Sequence, residues 1–222
     1  MFDRIAWRYD LMNGLMTLGR HQAWRRKAAR IAQPRAGTIA LDVATGTGDL
    51  ARALLEETGT RSVVGADFSA AMLALGREKR RRLNLESRLH LVAGDALALP
   101  FPDRTFCCVT SAFLLRNLAD LDQGLREMAR VTQPGGRVVA LETSNPTLPL
   151  FRSAFAWYFQ RVVPLLGAMV SRDRDAYRYL PRSSASFLAP DDLAQAMTKA
   201  GLQDVRYQRL ALGTVAIHFG VV

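Results

Sequence analysis

Short apolar runs and segments of helical period alternate along most of the chain. Trp24, Ala28 and Ile31 fall at helical spacing, so residues 18–33 read as a helix, ended by Pro34 and Gly37. The run Thr38–Val43 reads as a first strand, and Ala44-Thr45-Gly46-Thr47-Gly48 as a tight loop into a helix over Asp49–Thr58. A second strand spans Ser62–Ala66. Ser69 is placed to cap a helix carrying Met72, Leu73 and Gly76 and running to about Leu83. Arg88–Ala93 and Thr105–Phe113 read as strands three and four. A helix from Asp120 with Leu121, Leu125 and Met128 on one face is expected to stop at Pro134-Gly135-Gly136, and Arg137–Glu142 to form strand five. Strands separated by helices predict an α/β chain with a parallel sheet covered on both faces.

The alternation then breaks. Residues 145–185 read as an insertion rich in aromatic residues and punctuated by proline, with Phe151, Phe155, Trp157, Tyr158 and Phe159. Asp191–Ala200 follows as a helix between Pro190 and Gly201. Leu202–Leu210 and Thr214–Val221, joined by a short turn at Gly213, make a C-terminal antiparallel hairpin.

At 222 residues, the chain is expected to form one domain over 1–222. Its 23% charged and 49% hydrophobic residues argue against disorder. Cys107 and Cys108 are adjacent and cannot staple a fold. They suit a reducing setting and a core position in strand four rather than redox work. His21, His90 and His218 are scattered without metal-ligand spacing, so no metal is expected. The N-terminus lacks the apolar stretch of a signal peptide. Ala154–Val170 contains Gln160, Arg161 and Pro164, short of the roughly 20 apolar residues that span a bilayer.

The net charge is +10, and only Lys27, Lys79 and Lys199 among the 30 basic residues are not arginine. An anionic partner or an arginine-rich solvated surface both account for this. Eight of the basic residues lie between Arg4 and Arg35. Arg80-Arg81-Arg82, at a helix end, suits the helix dipole.

In an open parallel sheet, ligands bind beyond the carboxyl ends of the strands. Gly46 and Gly48 there let a ligand approach the backbone. Asp67, at the end of strand two and 21 residues past Gly46, suits a ribose diol. Asp95 in Gly94-Asp95-Ala96 is placed to accept a hydrogen bond from an adenine amino group. Together these favour an adenosine-containing cofactor. A dinucleotide fingerprint would carry a third glycine where Ala51 stands. Asp49 at the helix start would repel a pyrophosphate, so a cationic or neutral ligand fits better.

The chain resembles the ubiquinone/menaquinone biosynthesis C-methyltransferase family of class I S-adenosylmethionine-dependent methyltransferases. The resemblance rests on Phe2-Asp3, Arg8-Tyr9-Asp10-Leu11-Met12-Asn13, Thr45-Gly46-Thr47-Gly48-Asp49-Leu50 and Ala98-Leu99-Pro100-Phe101-Pro102-Asp103. It also rests on Leu115-Arg116-Asn117, Pro134-Gly135-Gly136-Arg137 and Tyr177-Arg178-Tyr179-Leu180. It implies a Rossmann-like fold and S-adenosyl-L-methionine as cofactor. Gly46, Thr47 and Gly48 would hold the methionine part, Asp67 the ribose hydroxyls, and Asp95 and Ala96 the adenine. The implied reaction is C-methylation of a prenylated hydroquinone, demethylmenaquinol to menaquinol or its ubiquinone counterpart. Arg116 would stabilise the phenolate and orient a water, with Asn117 adding a hydrogen bond and Tyr9 a further candidate. Ala112 and Leu114 depart from the family pattern and would reshape the pocket wall.

Residues 1–36 would then form an N-terminal helical cap and residues 145–185 a lid over the lipid tail. The expected partners are the quinol and an anionic membrane surface, approached peripherally from the cytoplasm. No nucleic acid is expected, and a homodimer is compatible. The alternatives are the same fold acting on another lipid or small molecule, a nonenzymatic adenosine binder, and a protein directed at nucleic acid.

Overall fold

The computed structural model describes residues 14, 17, 19–144, 146 and 187–222. Tyr9, the Tyr-Asp-Leu-Met-Asn and Tyr-Arg-Tyr-Leu stretches, and the insertion 145–185 except Pro146 lie outside these residues.

The first described helix, α1 (Arg20–Ala32), buries Ala28, Ala29 and Ala32. Strand β1 (Ile39–Val43) leads through the glycine loop to α2 (Asp49–Glu57), then to β2 (Ser62–Asp67). Helix α3 (Ala70–Arg82) starts at Ser69, whose hydroxyl accepts the N–H of Met72 at 3.2 Å. After β3 (Leu89–Ala93) and β4 (Phe106–Ala112) comes a 3₁₀ turn over Leu115–Asn117. Helix α4 (Leu121–Val131) is capped by Asp120, which accepts the N–H of Gln123 at 2.9 Å. The chain continues with β5 (Thr132–Thr143), α5 (Pro190–Lys199), β6 (Gln203–Leu210) and β7 (Val215–Val221).

The seven strands form one sheet in the order β3-β2-β1-β4-β5-β7-β6. β1 to β5 pair in parallel; β7 pairs antiparallel with both β5 and β6. Because successive side chains point to opposite faces, Val139 and Leu141 enter one core layer and Val138 and Ala140 the other. Ala28, Leu54 and Leu73 cover the first layer, and Leu125, Met128, Leu193 and Met197 the second. The expected α/β sheet with helices on both faces is present. Cys107 and Cys108 are both buried in the first layer and unbridged.

One expectation fails. Pro134-Gly135-Gly136 does not separate a helix from a strand; it lies inside β5. The helix ends at Val131, Thr132 pairs with Phe106, and Arg137 pairs with Cys108 across a register shift. The intervening residues bulge, and the backbone of Gly135 and Gly136 is satisfied by Val222 instead. A Cβ on Gly136 would come within 2.5 Å of the Cys107 carbonyl oxygen, so the bulge requires glycine there. The hairpin turn also differs: Ala211–Gly213 is a short 3₁₀ turn, not a single glycine corner.

Arg80 of the basic run does not simply face water. It donates to the Leu89 carbonyl at 2.6 Å, tying α3 to the start of β3.

Candidate active site

The carboxyl ends of β1 to β4 surround a cleft of about 370 Å³, a size suited to a small molecule. Its floor begins at the glycine loop. Asp42, near the end of β1, is buried and accepts the hydroxyls of Thr45 at 2.7 Å and Thr110 at 2.9 Å. Burial pushes its carboxyl up to about 6 against the pull of those two hydroxyls. The loop it anchors passes through Gly46 at φ +57°, and a Cβ there would meet no atom within 4 Å. Gly46 lines the cleft, so any side chain at this position would take up ligand space.

Asp67 stands across from it at the end of β2. Its Oδ2 accepts the N–H of Gly46 at 2.7 Å, and its Oδ1 accepts that of Ser69 at 2.8 Å. These bonds fix the carboxylate beside the loop. Asp95 and Ala96 line the same cleft. Asp95 Oδ1 accepts the N–H of Leu97 at 2.9 Å, forming a tight turn. Phe68, next to Asp67, is 85% exposed on the lip of the cleft. Sequence reasoning passed over it; its position directly after the acidic residue was the available signal.

Thr47 behaves differently from its neighbours. It is buried, and its hydroxyl accepts from Lys79 Nζ at 3.4 Å. Among the loop residues, Ala44 and Gly46 line the cleft. Asp49 also departs from the simple picture of an exposed anion at a helix start. It is buried, pairs with Lys79 at 2.6 Å, and accepts from Gln22 Nε2 at 3.0 Å. Burial works to raise its carboxyl, but Lys79 and then Arg25 outweigh it and hold the group below the usual range. Its charge is therefore largely met within the protein. The charged residues of the cleft lining, among those described, are both acidic, Asp67 and Asp95.

Beyond β4, the chain reaches the second wall. Phe113 adopts φ +59°, and its N–H binds the Leu141 carbonyl at 2.8 Å. Ala112, Leu114 and Asn117 line the cleft. Asn117 donates from Nδ2 to the Phe113 carbonyl at 2.9 Å, which braces the turn. The Arg116 side chain is only 8% exposed; its Nη1 donates to Glu142 Oε2 at 2.8 Å. The guanidinium carbon lies 5.2 Å from the centre of the Phe113 ring, within cation–π reach. The structure thus brings Gly46, Asp67, Asp95, Ala96 and Asn117 to one cleft, with Arg116 in the adjoining turn.

The whole chain, residues 1–222, matches the model of the ubiE/COQ5 methyltransferase family. The chain belongs to that family. The demethylmenaquinone methyltransferase of Thermus thermophilus is 48% identical over 220 residues, covering 99% of each chain. Among solved structures, the methyltransferase in a Haloferax volcanii complex with the Trm112 methyltransferase activator superposes with a TM-score of 0.74. It is 19% identical and covers 99% of this chain and 96% of its own. Phosphoethanolamine N-methyltransferase 2 of Haemonchus contortus, solved with S-adenosyl-L-methionine, has a TM-score of 0.59 at 20% identity. It covers 82% of this chain and 36% of its own.

This ubiE/COQ5 family member is an S-adenosyl-L-methionine-dependent methyltransferase. The residues present fit that cofactor. The open side of Gly46 leaves room along the loop, Asp67 is fixed by backbone donors, and the acidic lining suits a sulfonium cation.

Proposed function

We propose that this methyltransferase converts demethylmenaquinol to menaquinol by C-methylation of the quinol ring. The observation that carries the reading is the 48% identity, over nearly the full length of both chains, to a demethylmenaquinone methyltransferase. S-adenosyl-L-methionine supplies an activated methyl group on a sulfonium. Asp67 accepts hydrogen bonds from a ribose diol, and Asp95 accepts one from an adenine amino group. The ring carbon of the acceptor becomes nucleophilic when its neighbouring hydroxyl loses a proton. Arg116 stabilises the phenolate and orients a water that takes this proton. Asn117 adds a hydrogen bond, and Tyr9 contributes from the N-terminal segment. Alignment of donor and ring carbon lets the carbon–carbon bond form as the methyl–sulfur bond breaks, and the ring carbon's own proton then leaves to solvent, restoring the aromatic ring.

A prenylated quinol stays in the bilayer, so the enzyme approaches the membrane peripherally, from the cytoplasm. No helix among the described residues is long and apolar enough to cross it. Arg20, Arg26, Lys27, Arg30 and Arg35 are exposed on α1 and just after it, and basic residues near an anionic leaflet contribute about 1 kcal/mol each. Arg25 is not among them, because it is buried. Vesicle flotation tests the docking: binding to anionic vesicles that salt reverses is expected, and binding indifferent to salt and lipid charge would contradict it. The quinone profile of cells lacking this protein tests the function. Accumulation of demethylated quinone is expected, and an unchanged profile would refute the assignment.

A further inference from the structure

Beside the Asn117 brace, the Arg116 turn is held by the side chain of Glu142, whose part is not explained by binding either substrate. Glu142 is 1% exposed in the second-to-last position of β5. Its Oε1 accepts the N–H of Leu115 at 2.6 Å, and its Oε2 accepts Arg116 Nη1 at 2.8 Å. One carboxylate thus fixes both the backbone of the 3₁₀ turn and the guanidinium it carries. Burial works to raise the Glu142 carboxyl, with Arg116 pulling the other way.

Stability alone does not account for such a pair. Removing two charges from water is expensive, and well-packed apolar residues of the same volume often hold a fold equally well. The pair is also incomplete: Arg116 Nε is buried and has no hydrogen-bond partner among the described residues. The Phe113 ring covers a neighbouring side of the guanidinium, and Phe113 is itself pinned to β5 by its N–H. The arginine is therefore fixed in direction while part of its donor set has no partner among the described residues.

We infer that Glu142 is a positioning residue: its carboxylate holds the Arg116 guanidinium and the Leu115–Asn117 turn in the geometry that serves the developing phenolate. This rests on the role proposed above for Arg116. Glu142 touches neither substrate and acts through the arginine. Displacements of about 1 Å cost on the order of 100-fold in rate in such sites.

The test compares Glu142→Gln, Arg116→Ala and the double variant of the full chain. Single-turnover transfer to a short-tailed demethylated naphthoquinol is measured together with calorimetric affinity for S-adenosyl-L-methionine. Glu142→Gln is expected to keep the parental cofactor affinity and slow transfer by about tenfold or more. In the Arg116→Ala background it should cost nothing further. Millimolar guanidinium should restore part of the Arg116→Ala rate but none of the double variant's, because only an intact Glu142 can seat the free cation. Parental transfer by Glu142→Gln, or losses that multiply in the double variant, would overturn the inference while leaving Arg116 in place. Parental transfer by Arg116→Ala would overturn the role of Arg116 and this inference with it. If Glu142→Gln does not fold, Glu142→Asp, one methylene shorter with the charge kept, decides the matter. Slowed transfer at unchanged cofactor affinity supports the positioning role, and a parental rate refutes it.

Discussion

The two walls of the cleft are built by different physics. On the β1–β2 side, the aligned group is a carboxylate held by backbone: Asp67 accepts the N–H groups of Gly46 and Ser69. On the β4–β5 side, the aligned group is a cation held by a buried side chain: Arg116 is fixed by Glu142 and lies over Phe113. Backbone donors cost little to organise and suit a ligand that is bound in the same way at every turnover. A buried ion pair is costly to form but keeps a full charge in a fixed direction, which is what a charge appearing only during reaction requires. On the proposed reading, the β1–β2 wall serves cofactor affinity, and the Arg116 turn beside the β4 wall, here called the acceptor wall, serves rate.

The largest effect that could break this contrast comes from the acceptor wall. Arg116→Ala is expected to fold, to bind S-adenosyl-L-methionine as the parent does, and to lose methyl transfer by about 100-fold or more in single-turnover measurements. A variant that instead loses cofactor affinity at an unchanged rate would erase the distinction between the walls. Arg116→Lys sharpens it, because the charge remains while the planar fork is lost.

The cofactor wall should answer in the opposite sense. Asp67→Ala is expected to weaken S-adenosyl-L-methionine binding by about 1–3 kcal/mol, the range for losing hydrogen bonds to a charged group. At saturating cofactor, the transfer rate should recover. Unchanged calorimetric affinity would remove Asp67 from the site.

A third effect appears in stability. Asp42 has its carboxyl raised from 3.8 to about 6 by burial. Between those values the native state binds more protons than the unfolded chain, so this group's contribution becomes less favourable as pH rises through the window. Relative to Asp42→Asn, the parent should therefore gain on the order of 1–3 kcal/mol as pH falls from 7 to 4, measured by urea unfolding at each pH. A constant difference would show that Asp42 does not titrate in that range. The smallest effect is expected at Thr47, whose hydroxyl engages Lys79. Thr47→Val should change cofactor affinity by less than about 1 kcal/mol. A loss as large as that at Asp67 would place the threonine hydroxyl on the cofactor.

The contrast between the walls was only half legible in the sequence. Gly46, Asp67 and Asp95 stand at the ends of recognisable strands, and strand ends are where an open sheet binds ligands. Their signal is local, so residue type and spacing were enough. The acceptor wall depends on contacts far apart in the chain. Glu142 reads as the last polar residue of an apolar strand, and only the β4–β5 pairing carries it to Leu115 and Arg116, 27 and 26 residues away. Lys79 reads as one more charge beside the Arg80-Arg81-Arg82 run, yet it crosses to Asp49, 30 residues back. That long-range pair cancels the anion that local reasoning had set against a pyrophosphate. Pro134-Gly135-Gly136 misled in another way. Such residues usually end elements, but here a bulge accommodates them within β5, because Val222 takes over the hydrogen bonds of the two glycines.

The central claim, methylation of a reduced quinone ring, is tested most directly by incubating the enzyme with methyl-labelled S-adenosyl-L-methionine and a demethylated naphthoquinol. The same quinone is offered in its oxidised form as a parallel sample. The account predicts label on a ring carbon of the reduced acceptor and none on the oxidised one, since only the quinol has a hydroxyl whose proton can be lost. Equal labelling of both forms, or no label on the quinol from an enzyme that binds the cofactor, would contradict it.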